Sequence, residues 1–333
     1  MMRMTIYATT TTSLNTATTI PMIEAEIYTP AMHDEWNSFV ARARNATFLF
    51  DRRYMDYHAD RFTDHSIVFR RKGHLAALLP LNIDGDTVWS HQGLTYGGLL
   101  IDNKTCVEDV LQMFALANNL LRESGIRRVV YKAIPWIYHL LPSEEDLYAI
   151  TWQCKARLLS RDISSTIDLT ARPRFAESRK SGVRKALAAG IVIEESSDID
   201  AFWRVLEQNL GLRYNAHPVH TASEMKLLMS RFPSNIRLHV AKLDGTVVGG
   251  TVVYLMAGIA HTQYISASAE GKAHGALDLL FHHIINNDYA HCRYFDFGKS
   301  TEQGGAYLNA PLIFQKQGFG GRGVCYDSYE WEL

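Results

Sequence analysis

Three side chains in the last third of the chain combine a reactive type with an apolar setting. His261 lies in the strand-like run "AHTQYISAS", where alternation puts His261 and Gln263 on one face and Thr262 and Tyr264 on the other. An imidazole titrates near neutrality, so His261 suits a general base, and a structural hydrogen bond is its other use. Asp296 in "YFDFGKSTEQGG" alternates with Phe295 and Phe297, which turns its carboxylate away from their face. Asp296 and Glu302 are the candidate carboxylates for orienting an amine or taking its proton, while Ser300 and Thr301 also suit turn backbone groups. Lys316 rides on the apolar stretch "LIFQKQGFGGR", which should be a short helix with Gly318 as its C-cap and Phe319 in the core. The helix macrodipole alone would accommodate a lysine there.

Other reactive groups are scattered. "NAHPVHTASE" puts His217 and His220 before a helix whose capping box, Thr221 with Glu224, already occupies that carboxylate. His220 is expected to line an acceptor cleft, and with no carboxylate or cysteine to complete a ligand set no metal is expected. The cysteines at 106, 154, 292 and 325 form no CxxC pair and read as separate thiols of a reducing compartment. No serine or cysteine nucleophile has an evident paired histidine, which favours direct attack on a substrate over a covalent intermediate.

The elements that must position these groups recur in two halves. "SIVFRR", "HLAALLPLNI" and "TVWSHQ" read as strands, the last two joined by Asp84-Gly85, a hairpin signal. The helix "VEDVLQMFALANNLLRESG" follows, with Val110, Phe114, Ala117 and Leu121 on one face, then the strand "RRVVYKAI". The second half repeats this with "IRLHVAKL", "TVVGGTVVYLM", "AHTQYISAS", the helix "GALDLLFHHIINN" and "RYFDFG". Between them lie a basic helix ending at Gly190, the strand "IVIEE", and a helix over "DIDAFWRVLEQNLG". This order predicts an α+β protein: a tail over 1–20, one domain over 21–170, and a second over 171–333. A composition of 47% hydrophobic and 21% charged residues excludes global disorder, and a net charge of −1 removes a broad electrostatic case for nucleic acid. The N-terminus lacks the apolar core of a signal peptide, and no apolar run is long enough to span a membrane, so a cytoplasmic location is expected.

"AHTQYISAS", "AEGKAHGA", "YFDFG" and "FQKQGFGG" together resemble the core of the GNAT acyltransferases. The tandem order resembles the Fem-like branch, whose members carry two GNAT-like domains with mixed sheets flanked by helices. "SRKSGVRKALAAGIVIEE" is similar to the opening of the second Fem-like domain, and "GLTYGGLLID" resembles a segment of the first. The likeness covers about residues 35–333. It implies an N-acyltransferase with acetyl-coenzyme A or another acyl-coenzyme A as donor. Gly271, Lys272, Gly275 and Ala276 would be its diphosphate contacts at a helix N-terminus, although Leu277 stands where the family has glycine or alanine. Lys316 matches a lysine associated with transfer in Fem-type ligases, where a cation could stabilise an oxyanion. Tyr264 would be the acid for a leaving thiolate.

The expected acceptor is a small-molecule amine, on a nucleotide-sugar or other envelope precursor, with Tyr96, His220, Gln263, Ser300 and Arg322 as its contacts. The Tyr96-Gly97-Gly98 turn would let a ligand approach backbone closely. Aminoacyl-tRNA is the alternative donor, and Arg179, Lys180, Arg184 and Lys185 are either its contacts or a solvated helix face. A non-catalytic binding protein is the third reading.

Overall fold

The computed structural model describes residues 23–171, 174–214 and 217–333, so the expected tail over 1–20 lies outside it. The strands expected in the second half form at Ile236–Leu243, Thr246–Met256, Ile259–Ala267 and Tyr294–Lys299, with helix Ala276–Asn286 before the last of them. In the first half, the apolar face of helix Val107–Glu123 buries Val110, Phe114, Ala117 and Leu121, as its spacing predicts. "HLAALLPLNI" is two strands: His74–Leu79 joins a four-stranded sheet, and Asn82–Asp84 joins the main sheet. The break falls at Pro80, which has no N–H to donate to a ladder.

The main sheet has eleven strands and runs through both halves. Arg157–Asp168 lies between Tyr294–Lys299 and the last strand, Arg322–Glu332, and the last strand in turn pairs with Arg128–Lys132 of the first half. The halves also share a core, in which Trp36, Phe39, Phe50 and Tyr54 belong to the same buried cluster as Phe202, Trp203 and Tyr254. Burying each such side chain contributes about 1.5–3 kcal/mol, so the shared core resists separation of the halves.

Two parallel pairings interrupt the antiparallel sheet, one in each half. Thr87–Trp89 runs beside Arg128–Lys132, and Ile259–Ala267 runs beside Tyr294–Lys299. The second pairing stops at the rung His261–Asp296, beyond which the strands part into a fork.

Helix Ala310–Gly318 runs one residue further than expected. Gly318 is inside it, Phe319 is the C-cap with φ −86°, and the left-handed turn falls at Gly320 with φ 99°. The Gly320 and Gly321 N–H groups return to the carbonyls of Gln317 and Lys316, which satisfies the helix end. Phe319 is buried as expected, packed on Phe281, Phe297 and Phe175.

Candidate active site

His261, Asp296 and Thr166 are successive rungs on three neighbouring strands, so the sheet register itself assembles them. Asp296 is fully buried, and its Oδ1 accepts from Ser164 Oγ and Thr166 Oγ1. Its Oδ2 lies 2.7 Å from His261 Nδ1, 2.9 Å from Tyr138 Oη and 2.8 Å from Tyr326 Oη. Burial pushes its pKa up, but the hydrogen bond and charge of His261, with the Ser164 and Thr166 hydroxyls, outweigh that and hold it far below the carboxylate range. Asp296 is therefore a fixed anion. It does not serve as the base; it keeps the ring proton of His261 on Nδ1. His261 Nε2 makes no hydrogen bond among the described residues, and His261 lines a cleft of about 310 Å³.

Lys316 lines the same cleft, with Gln263, Lys299, Leu312, Tyr326 and Thr95 of the first half. Its Nζ donates to the carbonyls of Gly298 at 2.8 Å and Lys299 at 2.7 Å. Burial lowers its pKa to about 8, against an opposing pull from Asp296. The ammonium has a third N–H left for a ligand and remains mostly charged at neutral pH. An imidazole and an ammonium thus face one cavity, at the point where two parallel strands diverge.

Tyr264 and His220 lie elsewhere. A bulge at Gln263 leaves that residue without a rung opposite Thr246–Met256, so Tyr264 pairs with Val252 and His261 with Tyr254, both in the shared core. The bulge puts Tyr264 on the His261 side, contrary to simple alternation. The Tyr264 hydroxyl is 2.6 Å from His220 Nδ1, and burial raises its pKa to about 12. His220 is itself buried, stacked on Tyr57, with its pKa lowered to about 4 by burial. Neither residue lines the cleft. Tyr96 is buried too, its hydroxyl 3.2 Å from Thr47 Oγ1 and 3.1 Å from Met256 Sδ, and it does not line the cleft.

Glu302 is exposed on a small hairpin and accepts from Asn309 Nδ2 at 2.9 Å, outside the cleft lining. Ser300 is buried, and its Oγ has no partner among the described residues. Thr301 donates to Asp162 at 2.7 Å, the structural use. Arg322 is exposed and donates to the Gly321 carbonyl.

The expected diphosphate loop does not fit that task here. A Cβ on Gly275 would lie 2.6 Å from the Gly182 carbonyl, and one on Gly271 2.1 Å from the Val248 carbonyl. These glycines admit neighbouring backbone, not a ligand. Asp278, in the first turn of helix Ala276–Asn286, accepts from Arg179 at 2.6 Å, so an ion pair and helix Glu177–Ala188 cover that N-terminus. Lys272 bonds Asn209. Along the basic helix, Arg184 and Lys180 both pair with Glu177, the solvated-face arrangement.

Sequence reading missed Tyr138, Tyr326, Ser164, Thr166 and Thr95. Ser164 and Thr166 alternate on one strand and Tyr326 continues that pattern on the next, a signal visible only once the strands are known to be neighbours. Tyr138 ends a single 3₁₀ turn, too short for a periodicity to mark it.

Comparison with known proteins agrees with this architecture. Residues 174–307 match the acetyltransferase (GNAT) domain family. The crystal structure of FemX superposes with a TM-score of 0.66 at 12% identity, over 93% of this chain and 97% of that one. The C-terminal domain of a putative lysylphosphatidylglycerol synthetase from Agrobacterium fabrum gives 0.58 at 14% identity, over 91% and 92%. A tandem GNAT protein from the clavulanic acid biosynthesis pathway gives 0.52 at 14% identity, over 93% and 98%. No curated protein sequence matches the chain. The fold is a tandem of two GNAT-like domains. Residues 174–307 carry a GNAT acetyltransferase domain, within a chain that shares its fold with FemX and the tandem GNAT protein. No helix among the described residues is long and apolar enough to cross a membrane.

Proposed function

We propose that the cleft at the second fork moves an acyl group from an activated donor to an amine by direct attack. His261 Nε2 takes a proton from the amine as its nitrogen attacks the donor carbonyl, and Lys316 stabilises the oxyanion that forms. Collapse of that intermediate expels the donor's leaving group as thiolate or alkoxide, and the proton on His261 is available to it. Asp296 stays ionised throughout and balances the imidazolium. The observation that carries this reading is the meeting of an oriented imidazole and a buried ammonium at one parting of parallel strands.

A coenzyme A thioester is the proposed donor, because a fork between parallel strands suits an extended amide-containing arm. The proposed acceptor is an amine of a sugar or envelope precursor, the class implied by the Fem-like sequence resemblance. The covered loop at Gly275 favours a second reading, in which the donor is an aminoacyl ester of tRNA, and the likeness to FemX agrees with it. Thiol release from a panel of acyl-coenzyme A donors in the presence of amino sugars tests the first reading. His261→Ala should abolish the signal. Thiol release unchanged in that variant would refute the site. Transfer from charged tRNA with no thiol release would select the second donor.

A further inference from the structure

We infer that Tyr138 is a positioning residue for His261, supplied to the transfer centre by the first half of the chain; this rests on reading His261 as the base. Tyr138 ends the short turn Trp136–Tyr138, six residues beyond strand Arg128–Lys132. The turn is pinned at both ends, by Ala133 N–H donating to the Asp327 carbonyl at 2.9 Å and Leu140 N–H donating to the Arg44 carbonyl at 2.8 Å. The ring packs 4.7 Å from Tyr96 and edge-on to His261 and Tyr326. Its hydroxyl then reaches three groups at once: Asp296 Oδ2 at 2.9 Å, His261 Nδ1 at 3.0 Å and Tyr326 Oη at 2.8 Å.

A count of protons defines the role. Asp296 is an anion and only accepts. A bare Nδ1 lone pair 2.7 Å from its Oδ2 would be repelled, so Nδ1 carries the ring proton and Nε2 faces the cleft as acceptor. Of the two phenols in mutual contact, one donates to the other, and the proton left over goes to the carboxylate. The Tyr138 oxygen lies beside the Nδ1–H as a second acceptor and closes the place where water or a rotated ring would otherwise fit. Among the described residues Tyr138 is the first-half side chain that touches both members of the pair, so the first half completes the base rather than merely supporting the sheet.

The test uses the full chain labelled with ¹⁵N-histidine, with His261 signals assigned through His261→Gln. The wild type should show a single Nδ1–H tautomer whose proton exchanges slowly with water. Tyr138→Phe should speed that exchange and weaken the preference for the Nδ1–H tautomer, with the melting temperature nearly unchanged. Tyr326→Phe removes a hydroxyl from Asp296 but not from the ring, and should change these signals less. A His261 tautomer and exchange rate unaltered by Tyr138→Phe would overturn the proposal, as would an equal response to Tyr326→Phe. Once a substrate pair is in hand, kcat should fall about tenfold with KM unchanged, part of the roughly 10²–10⁴ that a positioned base contributes. Failure to find any transfer would count against the proposed function, while the ring signals would still decide the role of Tyr138.

Discussion

The two forks are built alike and used differently. In the first half the last parallel rung is Trp89–Val130, and in the second it is His261–Asp296. Beyond its rung the first fork is filled by the chain itself. Ser90 Oγ accepts from Lys132 N–H at 2.7 Å, and Gly97 N–H donates to the Lys132 carbonyl at 2.9 Å. Lys132 Nζ is turned inward onto the carbonyls of Leu94 and Gln92. Each fork thus holds a lysine on backbone carbonyls, Lys132 in one and Lys316 in the other. Burial lowers both pKa values, to about 7 and about 8. What differs is the rung, apolar in one and ionic in the other, and whether a loop stands in the gap. A fold repeated in tandem can therefore keep its sheet geometry in both copies and its reactive groups in one.

The largest expected effects separate the two lysines. Lys316→Met should lower transfer by about 10²–10³-fold, the usual cost of removing one oxyanion donor. Lys132→Met should leave the rate within a few-fold and instead lower the melting temperature, because it releases the loop that seals the first fork. Steady-state rates and thermal melts on both variants check this. Equal rate losses would mean that the first fork also takes part in the chemistry.

The next contrast is in pH. The folded pKa of Lys316, about 8, lies below the 10.5 of a free lysine, so between these values the unfolded chain binds the extra proton. This lysine thus disfavours the fold below about pH 8, and that penalty disappears as pH rises toward 10.5. Activity has the opposite sign: the oxyanion needs the cation, so the rate should fall about tenfold per pH unit above the folded pKa. Lys316→Arg, which stays charged, should remove the alkaline limb. A limb persisting in that variant would assign it to another group.

The strands bounded by turn residues and the helix faces are legible because those signals are local, whereas strand Arg157–Asp168, central to the main sheet, has no such signal and is not among the expected elements. The candidate site was legible only in part. His261, Asp296, Gln263 and Lys316 stand in sequence runs that mark them, and they do converge. The sequence leaves Asp296 open as an orienting carboxylate or a proton acceptor, because it does not reveal that two hydroxyls, two phenols and an imidazole surround it. The glycines misled in a consistent way. Gly97, Gly271 and Gly275 looked like room for a ligand, whereas the space beside each is taken by backbone of Ser90, Val248 and Gly182. A glycine records that something comes close and not what it is.

Those glycines give a smaller effect that sharpens the comparison. A Cβ on Gly97 would sit 1.9 Å from the Ser90 carbonyl, so Gly97→Ala should cost about 1–3 kcal/mol or more through overpacking. Gly298, in the open fork, has φ 71° and would place its Cβ 3.3 Å from His261 Cε1. Gly298→Ala should cost about 1–2 kcal/mol for the left-handed backbone, and it should also reduce transfer by crowding the imidazole. Denaturant melts with rate measurements distinguish a stability defect in the first fork from a combined defect in the second.

The smallest expected effect concerns Glu302, the carboxylate that sequence reading paired with Asp296. The two differ in every respect that sets acid–base behaviour. Asp296 has no exposure and five hydrogen-bonding neighbours, whereas Glu302 is exposed on the hairpin Thr301–Glu302 and Tyr307–Leu308, with Asn309 as its side-chain partner. An exposed carboxylate gains little from one neutral donor, since water replaces it at nearly the same free energy. Glu302→Gln should therefore leave both rate and stability within about twofold and ±0.5 kcal/mol, the range of ordinary surface substitutions. Asp296→Asn, by contrast, should slow transfer severely, because the amide offers His261 Nδ1–H a neutral acceptor or a donor in place of an anion. Rates for the two variants at a common pH decide the matter. A large loss in Glu302→Gln would place the proton acceptor on the hairpin and take it away from the fork.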